Sequence, residues 1–233
     1  MRQLFSIILA CFMAISANAA KDITETAVSD SAFFMPCGDP YNPLKKSIDN
    51  ISKKWDILIS VPKGFSEYKE LISFVYNHKD RKKLRFCEIF SPCLISNDRQ
   101  CIIGLTEHDL MLCNGNKNRT AQLHIKTAIY GIADTTNNKK VNFSDYVTTL
   151  SATASRRIAN ADAVHIIDLP LGHAINGKWT AYKMICIEKA DRPVAMLGIF
   201  LTKKGEEKTD QYIQAALGVY RYGNDPNWTW PKP

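Results

Sequence analysis

The chain reads as an α+β protein with an antiparallel sheet of about six or seven strands covered by helices. Three observations predict this. Extended apolar runs follow one another through turn signals, namely Asn114-Gly115, Asn176-Gly177 and Asp191-Arg192-Pro193, so neighbouring strands join by hairpins. Segments with apolar residues at three- and four-residue spacing lie between and around those runs. No linker or internal repeat divides the 233 residues, of which 45% are hydrophobic, enough for one sizeable core.

Residues 20–42 read as an N-terminal arm that includes Phe33-Phe34-Met35-Pro36. Asn42-Pro43 opens a helix, with proline at the first position, where its missing N–H costs nothing. Leu44, Ile48, Ile51 and Trp55 form its apolar stripe. Ile57, Ile59 and Val61 alternate as a strand stopped by Pro62 and Gly64. Ser66 then caps a helix striped by Tyr68, Leu71, Ile72 and Val75. Extended runs are predicted over 84–91, 101–113 and 122–133, with 95–99 as a polar loop. Ser144 caps a helix from Asp145 to Asn160 with a stripe of Tyr146, Val147, Leu150, Ala154 and Ile158. A strand covers Val164 to Leu169, and a hairpin joins Trp179–Glu188 to Val194–Leu201. Thr209 caps the last helix, which buries Ile213, Ala216, Leu217 and Tyr220 and stops at Gly223. One domain therefore spans 43–223, followed by a tail, 224–233, that carries Trp228 and Trp230 among prolines.

Residues 1–19 read as a secretory signal peptide. Arg2 supplies the positive start, Leu4 to Ile15 the apolar run, and Ala17-Asn18-Ala19 the small-x-small cleavage site. The implied destination is periplasmic or extracellular. Ile8-Leu9-Ala10-Cys11 offers a rival reading, an envelope component lipidated at Cys11, but apolar residues continue past Cys11 and Leu9 is bulky for that motif. No later run reaches the ~20 residues of a membrane span. The formal charge of +7 falls to +6 without Arg2, and the positive residues come as scattered doublets such as Lys45-Lys46, Arg156-Arg157 and Lys203-Lys204. These read as solvated faces or as contact with an anionic surface. Export argues against nucleic acid.

Cys11 leaves with the leader, so six of the seven cysteines remain: Cys37, Cys87, Cys93, Cys101, Cys113 and Cys186. An even number in an oxidising compartment implies structural disulfides. No C-x-x-C occurs, which weighs against zinc and thioredoxin-like chemistry. Cys93–Cys101 is the favoured pair, closing the mouth of a hairpin; Cys37–Cys186 would pin the arm to the sheet. A buried free thiol at Cys87 or Cys186 is the alternative.

The second half has a recognisable order. Phe143-Ser144-Asp145-Tyr146-Val147 opens an element, Gly177-Lys178-Trp179-Thr180-Ala181-Tyr182 begins a hairpin that ends in Leu197-Gly198-Ile199-Phe200-Leu201-Thr202, and Val219-Tyr220-Arg221-Tyr222 closes the set. With Ile57-Leu58-Ile59-Ser60-Val61-Pro62 upstream, residues 55–222 resemble the PsbP-like fold. The resemblance implies an α/β/α sandwich that mostly serves as a binding or accessory module. It carries no catalytic motif, so no site residue is transferred.

Four constellations remain. Asp134 to Asp145 matches a calcium loop in outline, but Lys139 stands where glycine is needed and Thr136 where a carboxylate is usual, so a polar loop fits better. His165, Asp168 and His173 are candidate metal ligands, although the odd spacing of His165 and Asp168 puts them on opposite faces of a strand. Glu107-His108-Asp109 could join an acid–base site, yet no G-x-S-x-G, H-E-x-x-H or phosphate loop accompanies it, and no cofactor is implied. Trp179, Trp228 and Trp230 are the candidate binding residues; the tail indoles serve either as a partner or glycan platform or as a patch on the core edge. The sequence thus points to an exported, non-enzymatic accessory or binding protein with an envelope or extracellular partner, such as an anionic surface or a glycan. A secreted hydrolase or metal-dependent enzyme is the alternative.

Overall fold

The computed structural model describes residues 31–35, 44–69, 72–77, 86–106, 121–132, 142–169 and 171–230. In chain order its strands are β1 (Ser31–Met35), β2 (Ile57–Ile59), β3 (Phe65–Tyr68), β4 (Ile72–Asn77), β5 (Phe86–Phe90), β6 (Cys93–Ser96), β7 (Cys101–Leu105), β8 (Val147–Thr149), β9 (Ala163–Leu169), β10 (Trp179–Glu188), β11 (Ala195–Thr202) and β12 (Tyr220–Tyr222). The helices are α1 (Leu44–Trp55), α2 (Ala121–Ile132), α3 (Ala152–Ala159), α4 (Lys203–Glu206) and α5 (Thr209–Leu217).

An antiparallel seven-stranded sheet, ordered β3-β6-β7-β11-β10-β9-β8, forms the centre of this α+β fold. Its middle strands are buried on both faces, which is why β7 and β11 read as unbroken apolar runs, CIIGL and AMLGIFLT. Alternation still sorts their side chains. Leu197, Ile199 and Leu201 enter one core with Ile51, Trp55 and Tyr212 from the helices, whereas Met196 and Phe200 enter the other. The first face is covered by α1, α3, α5 and the β2–β12 pair. The second is covered by α2 and the sheet β1-β4-β5, through Ile125, Ile129, Phe74 and Phe90, where the sequence had suggested helices alone.

Several elements differ from expectation. The helix expected from Ser66 to Val75 is two strands: β3 pairs with β6, and β4 buries Ile72 and Phe74 at strand period. The strand expected over 122–133 is α2, whose buried Ala121, Ile125, Ala128, Ile129 and Ile132 follow helical spacing despite their β-branched members. The helix expected from Asp145 to Asn160 is a 3-10 turn (Phe143–Asp145), then β8, then α3, and its cap is Ser151, which accepts from the Ala154 N–H. α5 ends at Leu217 and Tyr220 belongs to β12. Thr209 does not cap α5; its hydroxyl donates to the Glu206 carbonyl.

The Cys93–Cys101 bridge is also corrected. Cys93 pairs with Gly104 across the β6–β7 ladder, so the two cysteines are out of register. Their side chains enter opposite cores, Cys93 with the α2 layer and Cys101 with the α1 layer. A bridge would have to pass through the sheet. Instead the Cys93 thiol donates to the Phe90 carbonyl at 3.4 Å. Cys186 is buried in the α2-side core. Cys87 lies in β5, and Cys37 and Cys113 fall outside the described residues, as do the leader, Cys11, Glu107-His108-Asp109 and Asp134 to Val141.

Candidate functional site

The sheet ends at β8, a three-residue edge strand, and a cleft of about 680 Å³ opens beside it between α2, the 3-10 turn and the ends of β9 and β10. Its size falls in the range of small-molecule sites. Register places the floor. Thr149 faces His165 directly across β8–β9, and Glu188 lies diagonally from His165 on β10. All three share the α2-side face, because strand side chains alternate. They form a continuous row: Thr149 Oγ1 lies 2.9 Å from His165 Nδ1, and His165 Nε2 lies 3.3 Å from Glu188 Oε1. An ionised carboxylate only accepts, so in the neutral ring the hydrogen sits on Nε2, and Nδ1 accepts the Thr149 hydroxyl.

The Glu188 carboxyl is held below the usual carboxylate range, first by the hydrogen bond from His165, then by the His165 charge and the Ala121 N–H. Burial and Asp162 oppose this without reversing it. Ala121 is the first residue of α2, so Glu188 also satisfies one of the N–H groups that open that helix. The site is thereby tied to the helix that walls it.

That wall is apolar. Ile125 comes from α2, Phe143 from the 3-10 turn and Val147 from β8. Phe143 packs edge-to-face on Tyr130 at 5.6 Å, and Lys126 Nζ reaches to 6.0 Å from its ring centre. Gln122 and Ser144 complete the rim. The edge strand adds backbone groups. Asp168 N donates to Tyr146 O and Leu150 N to Val164 O, each at 2.9 Å. This phase turns the N–H and C=O of Val147 and Thr149 away from β9, toward the side of β8 where no described strand lies.

The residues singled out from sequence are dispersed. His165 is in this cleft, whereas Asp168 points to the opposite face, into a second cleft where it pairs with Lys183 at 2.5 Å. His173 lies in the β9–β10 connection, and among the described residues no group of three His, Cys, Asp or Glu could hold a metal. Trp179 is 5% exposed in the α2-side core, with Lys178 Nζ 4.6 Å from its ring centre. Trp228 and Trp230 are folded back on α1. Trp228 Nε1 donates to the Lys54 carbonyl at 3.1 Å, Arg192 lies 4.2 Å from its ring, and Trp230 meets Trp55 edge-on at 6.3 Å. Thr149, Glu188, Phe143, Lys126 and Gln122 were not anticipated. No helix among the described residues is long and apolar enough to cross a membrane. No protein-family model, curated protein or solved structure matches this chain.

Proposed function

We propose that the protein is an exported, non-enzymatic accessory protein that binds a ligand in the cleft beside β8. One observation carries this reading: a row of hydrogen-bonded polar groups, fixed on three successive strands, faces an apolar wall across an open cleft. Groups held on a sheet are ordered before the ligand arrives, which lowers the entropic cost of binding. The leader at residues 1–19 supports delivery to the periplasm or beyond the cell. The resemblance of residues 55–222 to the PsbP-like fold supports an accessory role. The exposed doublets Lys45-Lys46, Arg156-Arg157 and Lys203-Lys204 suit an anionic envelope surface nearby.

The test is an NMR titration of the purified protein with extracts of envelope fractions. Shifts confined to amides of Phe143, Thr149, His165 and Glu188 support the reading, and shifts only at other surfaces overturn it. A secreted hydrolase is the second reading, and the row itself favours it. Hydroxyl, imidazole and carboxylate stand in the order that activates an oxygen nucleophile. Ester turnover lost in both Thr149→Val and His165→Gln, with melting unchanged, would replace the binding reading.

A further inference from the structure

We infer that the ligand of this cleft is a neutral saccharide, seated with a C–H face on Phe143 and its hydroxyls on the Thr149–His165–Glu188 row. The inference rests on the binding reading above. Charge selects the class first. Among the described residues, and with the His165 ring neutral, the lining holds one carboxylate, Glu188, and one ammonium, Lys126, so it carries no net charge to attract an ion of either sign. A phosphate would meet Glu188 on the floor, and a divalent cation would find a single carboxylate where it needs several oxygens. A fatty acyl chain would bury the polar row without replacing its water, which is costly.

Hydrogen-bonding capacity selects it next. A sugar presents neighbouring hydroxyls that each donate and accept. Glu188 receives bonds from His165 and from the Ala121 N–H, which leaves part of a carboxylate's roughly four acceptor sites for a ligand. Thr149 Oγ1, which gives its proton to His165, keeps a lone pair for an incoming hydroxyl. Lys126 and Gln122 on α2 supply donors at the mouth, and the outward N–H and C=O of Thr149 supply one of each. Phe143 gives the flat apolar surface against which the C–H face of a pyranose packs.

The experiment titrates 15N-labelled protein with glucose, mannose, N-acetylglucosamine, maltose and cellobiose, and separately with octanoate and inorganic phosphate. At least one saccharide is expected to shift the Phe143, Thr149 and Glu188 amides together. Glu188→Gln and Phe143→Ala should each weaken that saccharide at least tenfold, while Phe143→Tyr retains it; equal melting temperatures exclude misfolding. Cleft shifts with octanoate or phosphate and none with sugars overturn the saccharide inference and leave the binding reading standing. No cleft shift with any probe overturns the saccharide inference, and the envelope-extract titration then decides the binding reading. Saccharide binding that is indifferent to both variants places the sugar elsewhere and also overturns the inference.

Discussion

Gly104 and Gly198 stand directly opposite each other across β7 and β11, and the side chain of Phe90 lies over both. A Cβ at Gly104 would come within 2.6 Å of Phe90 Cβ and Cγ, and one at Gly198 within 2.5 Å of Phe90 Cζ. Carbon atoms attract at about 3.5–4.0 Å, so each substitution creates an overlap near 1 Å. Phe90 is 1% exposed and is held between Phe200 at 5.4 Å and Tyr182 at 6.5 Å. The two clashes differ in kind. At Gly104 the opposing atoms are anchored to the β5 backbone, and no rotamer removes Cβ. Gly104→Ala should therefore cost about 3 kcal/mol, the upper part of the overpacking range. At Gly198 the opposing atom is the ring tip, and the cost should be about 1–2 kcal/mol. A strand glycine replaced by alanine without a clash would instead gain about 0.5–1 kcal/mol, so the sign is informative. Phe90→Leu deletes Cζ but keeps Cβ and Cγ. Combined with Gly198→Ala it should fall at least about 1 kcal/mol short of additivity, whereas with Gly104→Ala it should give no relief. Urea unfolding followed by tryptophan fluorescence measures all five variants. Stabilisation by either alanine, or additivity in the Gly198 pair, would refute the placement of Phe90 across β7 and β11.

Asp98 joins the β6–β7 turn to α5 by accepting from Lys208, Ser96, Tyr212 and the Gln100 N–H. Burial raises its carboxyl, but these bonds together hold it well below the usual range. A depressed folded value stabilises above the unfolded pKa of about 3.9 and fades as pH falls toward the folded one. Asp98→Asn should lose about 1 kcal/mol at neutral pH and show a flatter acid limb in thermal melts from about pH 4 downward; the value sits at the low end because the carboxylate is partly solvated. Trp228→Ala removes the bond to Lys54 and the Arg192 contact, and should lower the melting temperature by about 2–8 °C, for a loss of about 1–2 kcal/mol. In a non-reduced peptide map no Cys93–Cys101 cross-link should appear. Burial and then the Asp98 charge push the Cys101 thiol up, so iodoacetamide should modify it only after unfolding.

Where one residue pattern admitted one partner, the sequence was legible. The β10–β11 hairpin follows from its two apolar runs and the Asp191 turn, where φ is +59°, and α1 follows from its stripe. The sheet's edges were not legible, for a physical reason. β3 and β8 are short edge strands with mixed burial, so period-2 alternation spans too few residues to outweigh a helical coincidence such as Tyr68, Ile72 and Val75. α2 failed in the other direction, since Ile125, Ile129 and Ile132 favour strand locally, and tertiary packing on β10 and β9 decides for helix. The site inherits these errors. His165 was visible as a strand histidine, and its partner Glu188 was recoverable from antiparallel register between the strands that end at Leu169 and begin at Trp179. Thr149 was hidden because its strand was read as helix.

The two clefts flanking β8 share Ser144 and Val147 but differ in electrostatics. On the far face the described lining residues include Asp145, Asp168 and Asp210 against one cation, Lys183, a net negative set. The alternation that separates His165 from Asp168 thus does more than dissolve a metal triad. It sorts charge across one strand. Because the 3-10 turn carries residues of both linings, a ligand that orders Phe143 on one side also fixes Asp145 on the other. Saccharide binding should accordingly shift the Asp145 amide as well as the cleft-floor amides, whereas a sugar bound away from β8 would leave Asp145 unmoved.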